Sequence, residues 1–230
     1  MIDMVFFRST AALQKEWGYM CINKLYASIC RARFFLLRHV VAFLAVALLG
    51  ACDRPPAFHS SDITGASFGN LSALDALTDH TGCRLASADF LGKAVVVFFG
   101  YTQCPDICPT TLTTMKEAMR LLGPDADRVQ VLFISVDPER DTQEILAGYL
   151  PWFDQRFLGL RADPDTTREV ARVFRVFYAK AQGGTALGYS IDHSATTYAY
   201  DPRGQLRLLI NHGESAEHIS EDLSKLLAGK

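Results

Sequence analysis

Cys104 and Cys108 lie four residues apart in Gly100-Tyr101-Thr102-Gln103-Cys104-Pro105-Asp106-Ile107-Cys108-Pro109. Two thiols at this spacing support three chemistries. They cycle between dithiol and disulfide, form a permanent structural disulfide in an oxidising compartment, or bind a soft metal. The spacing alone does not decide among them. A strand is expected before the pair and a helix after it. Both sulfurs then reach one face of the first helical turn. The unpaired N–H groups and positive dipole end of that helix favour thiolate over thiol. Pro105 suits an early helical position, where a missing N–H costs nothing.

His193, in Ile191-Asp192-His193-Ser194-Ala195, is the third residue of interest. Two thiolates and one imidazole make a three-coordinate site. Thiolates favour Cu(I), and Cys with His also tolerates Cu(II). Zinc is the competing metal, but a structural zinc site normally has four protein ligands and three are visible. The plain alternative for His193 is a satisfied polar residue at the start of a strand.

The elements that must position these residues follow from periodicity. Residues 94–100 are a continuous apolar run, expected as a buried central strand, and residues 129–136 are expected as another buried strand. Residues 108–122 carry Leu112, Met115, Met119 and Leu122 at helical spacing. Asp141 is expected to cap a helix reaching about Leu150, with Glu144 completing a capping box. Residues 166–177 and 214–227 read as further helices. Residues 196–200 and 206–210 flank the turn Asp201-Pro202-Arg203-Gly204 and read as a hairpin. Residues 71–77 and 84–86 read as short strands. Residues 180–191, with three glycines, read as a long connection. The order predicts an α/β thioredoxin-like sandwich, a central mixed sheet with flanking helices. Ordinary thioredoxins place a cis-proline in the loop facing their cysteines. Here no proline stands between Pro164 and Pro202, and His193 occupies that region.

Composition narrows the class. The 230 residues are 49% apolar and carry a net charge of −2, which excludes a disordered chain. No basic stripe appears, so nucleic acid is not an expected partner. Six cysteines are too few for a disulfide scaffold of this length. The charge is uneven: residues 1–51 hold six basic and two acidic residues, against 17 and 23 in residues 52–230. Arg31, Arg33 and Arg38 precede the uncharged run from Val40 to Leu49, the layout of an export signal. Residues 1–19 fit that signal poorly, and Met20 is a plausible true start. Leu49-Gly50-Ala51-Cys52 resembles the lipobox of bacterial lipoproteins, in which the Cys becomes the lipidated first residue. The alternative is an uncleaved signal anchor with Cys52 a bystander. Either reading tethers the protein to a membrane through its N-terminus, and Asp53 after the Cys implies inner-membrane retention. The expected organisation is an export signal over 1–51, a tether over 52–68 and a thioredoxin-like domain over 69–230.

The chain resembles the Sco/SenC copper proteins, which serve cytochrome c oxidase assembly. The matching stretches are Asp89-Phe-Leu-Gly-Lys93, Phe98-Phe-Gly-Tyr-Thr-Gln-Cys-Pro-Asp-Ile-Cys-Pro-Thr-Thr-Leu112, Ser135-Val-Asp-Pro-Glu-Arg-Asp141 and Asp192-His193-Ser194. The resemblance implies a thioredoxin-like fold and copper, as Cu(I) or Cu(II), held by Cys104, Cys108 and His193. It implies an acceptor: cytochrome c oxidase subunit II or a similar apo-copper protein. It also implies tethering on the periplasmic face of the bacterial inner membrane. Asp137 and Asp141 read as a loop acid and a helix cap, with Asp137 a candidate to support the ligands. Cys83 reads as a small, partly buried residue. Two functions stay open: a copper chaperone using all three ligands, and a thiol–disulfide oxidoreductase using Cys104 and Cys108 as redox thiols. A peroxidase-like role lacks a separate peroxidatic cysteine motif.

Overall fold

A computed structural model of the chain describes residues 57–182 and 188–229. The expected export signal, Cys52 and the first part of the tether lie outside the described residues. Nine strands and four α-helices appear among those described: β1 (Ser61–Asp62), β2 (Thr78–Asp79), β3 (Ala94–Gly100), α1 (Ile107–Leu122), β4 (Val129–Ser135), α2 (Gln143–Tyr149), β5 (Leu158–Arg161), α3 (Pro164–Val173), β6 (Tyr178–Gln182), β7 (Tyr189–His193), β8 (Thr197–Tyr200), β9 (Leu206–Ile210) and α4 (Ala216–Leu227). Seven strands form one mixed sheet in the order β1-β9-β8-β3-β4-β5-β2. β3, β4 and β5 are parallel neighbours, and β8 pairs antiparallel with both β3 and β9.

Every residue of β3 and β4 is buried. That is why neither shows an apolar–polar alternation: strands covered on two faces read as near-continuous apolar runs, broken in β4 by the buried Gln130 and Ser135. Phe98 packs with Phe133, and Phe133 in turn with Tyr149. Phe99, pointing to the opposite face, packs on Phe174 at the end of α3. Helices thus cover both faces. α1 buries Cys108, Leu112, Met115, Ala118, Met119 and Leu122 in one stripe, and α4 packs beside it.

Several expectations are corrected. Residues 71–77 are not a strand: Leu71–Ala76 is a 3₁₀ helix capped by the Asn70 side chain, burying Leu71 and Leu74 three residues apart. Residues 84–86 contribute one bridge, Arg84 to Thr78. The helix after Asp141 is capped by Thr142, whose hydroxyl accepts from the Ile145 N–H. α3 spans Pro164–Val173, two residues earlier at its start than expected and four shorter at its end, with Asp163 as its cap. α4 begins at Ala216 behind a Ser215 cap. The stretch read as a long connection supplies both strands of a separate antiparallel ribbon, β6–β7.

The part of the tether within the described residues is folded onto the domain. β1 pairs with β9, and the buried Asp222 carboxylate accepts the N–H groups of His59 and Ser60. A polar composition with Ser does not reveal such anchoring, because the contacts are made by backbone. Among the described residues no helix is long and apolar enough to cross a membrane.

Candidate metal centre

Cys104, Cys108 and His193 are brought together. One donor atom from each lies within 4.8 Å of the other two. β3 delivers the loop that carries Cys104, and α1 carries Cys108 in its first turn. The helix starts at Ile107, so Cys104 sits in the loop before it rather than on its first turn, and Pro105 precedes the Asp106 cap. Pro109 occupies the first turn, where an N–H has no helical partner.

Cys104 is half-buried and Cys108 fully buried. The Cys108 thiol donates to Cys104 and holds its pKa down at about 3. Burial opposes this, while His193 and the N–H groups of Asp106 and Cys108 reinforce it. The helix N-terminus therefore serves Cys104 through aimed N–H groups. Cys108 is pushed well above the ordinary thiol value, first by donating to Cys104 and then by burial. The pair shares one proton, with Cys104 the thiolate and Cys108 the thiol.

His193 ends β7. Its Nδ1 lies 3.0 Å from the Ser194 carbonyl and its Nε2 lies 3.5 Å from the Cys108 sulfur. A carbonyl only accepts, so Nδ1 carries a proton toward Ser194, and Nε2 is the nitrogen that faces the two sulfurs. The ring meets Tyr101 and Phe98 edge-on, with centroids 5.8 and 6.3 Å apart. No cis peptide occurs among the described residues.

The two aspartates divide the work of support. Asp141, buried, accepts from the Thr102 N–H and hydroxyl and from Ser135 Oγ, and so pins the loop leading to Cys104. Burial raises its pKa despite these bonds. It is not the helix cap that its position suggested. Asp137 makes no hydrogen bond to the three candidate ligands. It pairs with Arg140 and accepts the Tyr189 hydroxyl at 2.8 Å. Burial and this bond push the Tyr189 phenol up to about 12. Arg140 and Tyr189 were not singled out from sequence. The two-residue alternation of Tyr189, Ile191 and His193 is the signal that marks a strand there. Cys83 is exposed, contrary to expectation, and lies in a turn closed by Asp79.

Two thiols and one imidazole nitrogen, one already a thiolate, suit a soft or borderline cation such as copper. Among the described residues a tetrahedral structural zinc site lacks its fourth protein donor.

A mixed sheet covered by helices on both faces, with a cysteine pair at the strand-to-helix turn beside β3, defines a thioredoxin-like protein. The SCO1/SenC family model matches residues 72–228, and the chain belongs to that family. Among curated relatives, the mitochondrial SCO2 homolog of Bos taurus is 38% identical over 154 residues, covering 66% of this chain and 58% of that protein. The chain thus spans less than two thirds of that relative. Among solved structures, Bradyrhizobium japonicum ScoI with copper bound is 35% identical, with a TM-score of 0.60 over 74% of this chain and 99% of that one. Apo Sco1 of Thermus thermophilus is 38% identical, with a TM-score of 0.57 over 70% and 99%.

Proposed function

We propose that the protein is a membrane-tethered copper chaperone that loads the CuA centre of cytochrome c oxidase subunit II. The observation that carries the reading is the convergence of Cys104, Cys108 and His193 donor atoms within 4.8 Å. The copper in the Bradyrhizobium japonicum relative supports it, and the Sco/SenC resemblance supplies the acceptor. Copper here is cargo. Three donors leave room for an incoming acceptor ligand, and the half-buried Cys104 is the sulfur a partner can reach. We further propose that Cys52 carries a lipid, or that residues 1–51 remain as a signal anchor. Either holds the domain on the periplasmic face of the bacterial inner membrane.

A second reading is supported by the Cys104 thiolate, whose low pKa suits thiol–disulfide exchange. On it, the protein keeps the acceptor cysteines reduced. The test is metal analysis of the reduced full chain, followed by incubation with apo subunit II. The copper reading expects one copper per chain, lost in Cys104→Ser and Cys108→Ser, and copper transfer that fails in His193→Ala. Transfer-independent oxidase maturation in His193→Ala, with thiol exchange intact, selects the reductase instead.

A further inference from the structure

Strand β7 is paired with β6 on one edge, and on the other it is held by side chains. Arg140 Nη1 donates to the Tyr189 carbonyl at 2.9 Å, and the Ile191 N–H donates to the Tyr101 hydroxyl at 3.3 Å. The strand period of two places residues 189, 191 and 193 in line, so these anchors lead directly to His193. The Arg140 guanidinium carbon lies 3.7 Å from the Tyr189 ring centroid and 5.6 Å from that of Tyr101. Its Nη2 is buried with no hydrogen-bond acceptor among the described residues, and the guanidinium lies against the aromatic faces. Asp137 binds Arg140 and Tyr189 together. Arg140 therefore reaches His193 by two routes, the β7 backbone and the Tyr101 ring that the imidazole meets edge-on. A buried ion pair is a poor way to add stability, but a planar guanidinium fixes orientation through several directed bonds.

We propose that Arg140, braced by Asp137 and Tyr189, is a positioning residue: a latch that holds His193 Nε2 at the two sulfurs and decides whether the site offers three donors or two. What the site binds rests on the copper reading above; the latch geometry does not. With the guanidinium in place, β7 keeps both edges and the imidazole stays beside Cys108. Without it, β7 loses an edge anchor and the imidazole withdraws, leaving two sulfurs. Cu(I) is served by two thiolates, whereas Cu(II) leans on the imidazole, so the latch governs Cu(II) more than Cu(I).

The test uses the reduced full chain and its Arg140→Lys, Tyr189→Phe and His193→Ala variants. Tyr189→Phe keeps the ring and removes one hydroxyl, so folding is preserved. The first arm needs no metal: hydrogen exchange of the 189–194 segment, with β3 as the internal reference. The expected result is exchange about tenfold faster than the parent in Arg140→Lys and Tyr189→Phe, with β3 unchanged. The second arm adds copper alone. Cu(II) affinity is expected to fall about 10- to 100-fold in Arg140→Lys, with loss of the imidazole nitrogen hyperfine coupling as in His193→Ala. Cu(I) affinity is expected to change by less than about threefold. Parental exchange over 189–194 in both latch variants overturns the proposal, as does parental nitrogen coupling in Arg140→Lys. If the parent itself binds no copper, the copper reading fails and the exchange arm alone decides the latch.

Discussion

Gly100 faces the Cys108 sulfur with no room for a side chain between them: a methyl group at Gly100 would fall 2.8 Å from that sulfur and 2.8 Å from the Phe133 ring. The last residue of β3 is thus glycine because the buried sulfur of α1 occupies the space a side chain would take. The strand and the first helical turn close on each other over this gap, and the thiol pair takes its position from that closure.

Gly100→Ala should force the α1 N-terminus away from β3. Overpacking of this kind costs about 1–3 kcal/mol, and the displaced atom is a candidate ligand. Chemical denaturation should show that loss, and copper affinity should fall with it. A variant of parental stability and affinity would show that the contact is soft.

The shared proton of the thiol pair predicts unequal reactivity. Cys104, with its pKa at about 3, is a thiolate throughout the neutral range, while Cys108 stays protonated above the ordinary thiol value. Iodoacetamide should label Cys104 at a rate nearly flat from about pH 5 to pH 8, and should spare Cys108. In Cys108→Ala the donor is gone, so Cys104 labelling should rise with pH toward the free-thiol value of about 8.5. Binding copper at Cys108 must also expel its proton. Affinity should therefore rise about tenfold per pH unit between about pH 7.5 and pH 9. Parallel pH profiles for Cys104 in parent and variant would sink the shared-proton account.

The strands with two buried faces were legible in the sequence, because burial on both sides leaves only apolar residues, as in residues 94–100. So was the Cys104–Cys108 turn, since both residues lie within one local segment. What escaped reading depends on distant partners. In the β6–β7 ribbon only Ile191 is buried among the described side chains, and Ala179, Lys180 and Asp192 are exposed, so no continuous apolar run marks it. Asp141 and Thr142 are both competent caps by type. Asp141 is withdrawn from that role by Thr102, 39 residues away. The Arg140–Tyr189 contact spans 49 residues, and no spacing rule reaches that far.

Asp222 fastens the N-terminal lead. It is buried and accepts from His59 N–H, Ser60 N–H and Lys225 Nζ. Burial alone would raise its pKa, but the two N–H groups and Lys225 outweigh it and the pKa is lowered. Because the folded value lies below the unfolded value of about 3.9, the contribution is present above that pH and is lost as pH falls through the folded value. Asp222→Ala should cost about 2–4 kcal/mol at neutral pH and release residues 57–62 to proteases. The gap between parent and variant in denaturation midpoint should narrow below about pH 4. A gap that widens on acidification contradicts the assignment.

The two states of the cysteine pair should exclude one another. A Cys104–Cys108 disulfide consumes both sulfurs, so an oxidised chain has only His193 left of the three donors and should not retain copper. The converse also holds: sulfurs engaged by copper are withheld from oxidation. The sulfurs already lie within 4.8 Å, so a bond requires only local movement toward disulfide geometry. Cys108 is locked in α1 by burial, which leaves the loop at Cys104 to move. That loop is pinned at Thr102 by Asp141, so Asp141→Asn, with one acceptor fewer, should oxidise faster than the parent. The measurement is a copper titration of reduced and fully oxidised chains with thiols counted in parallel, and a time course of thiol loss with and without copper. Stoichiometric copper on a chain with no free thiol at Cys104 or Cys108 would remove both residues from the ligand set.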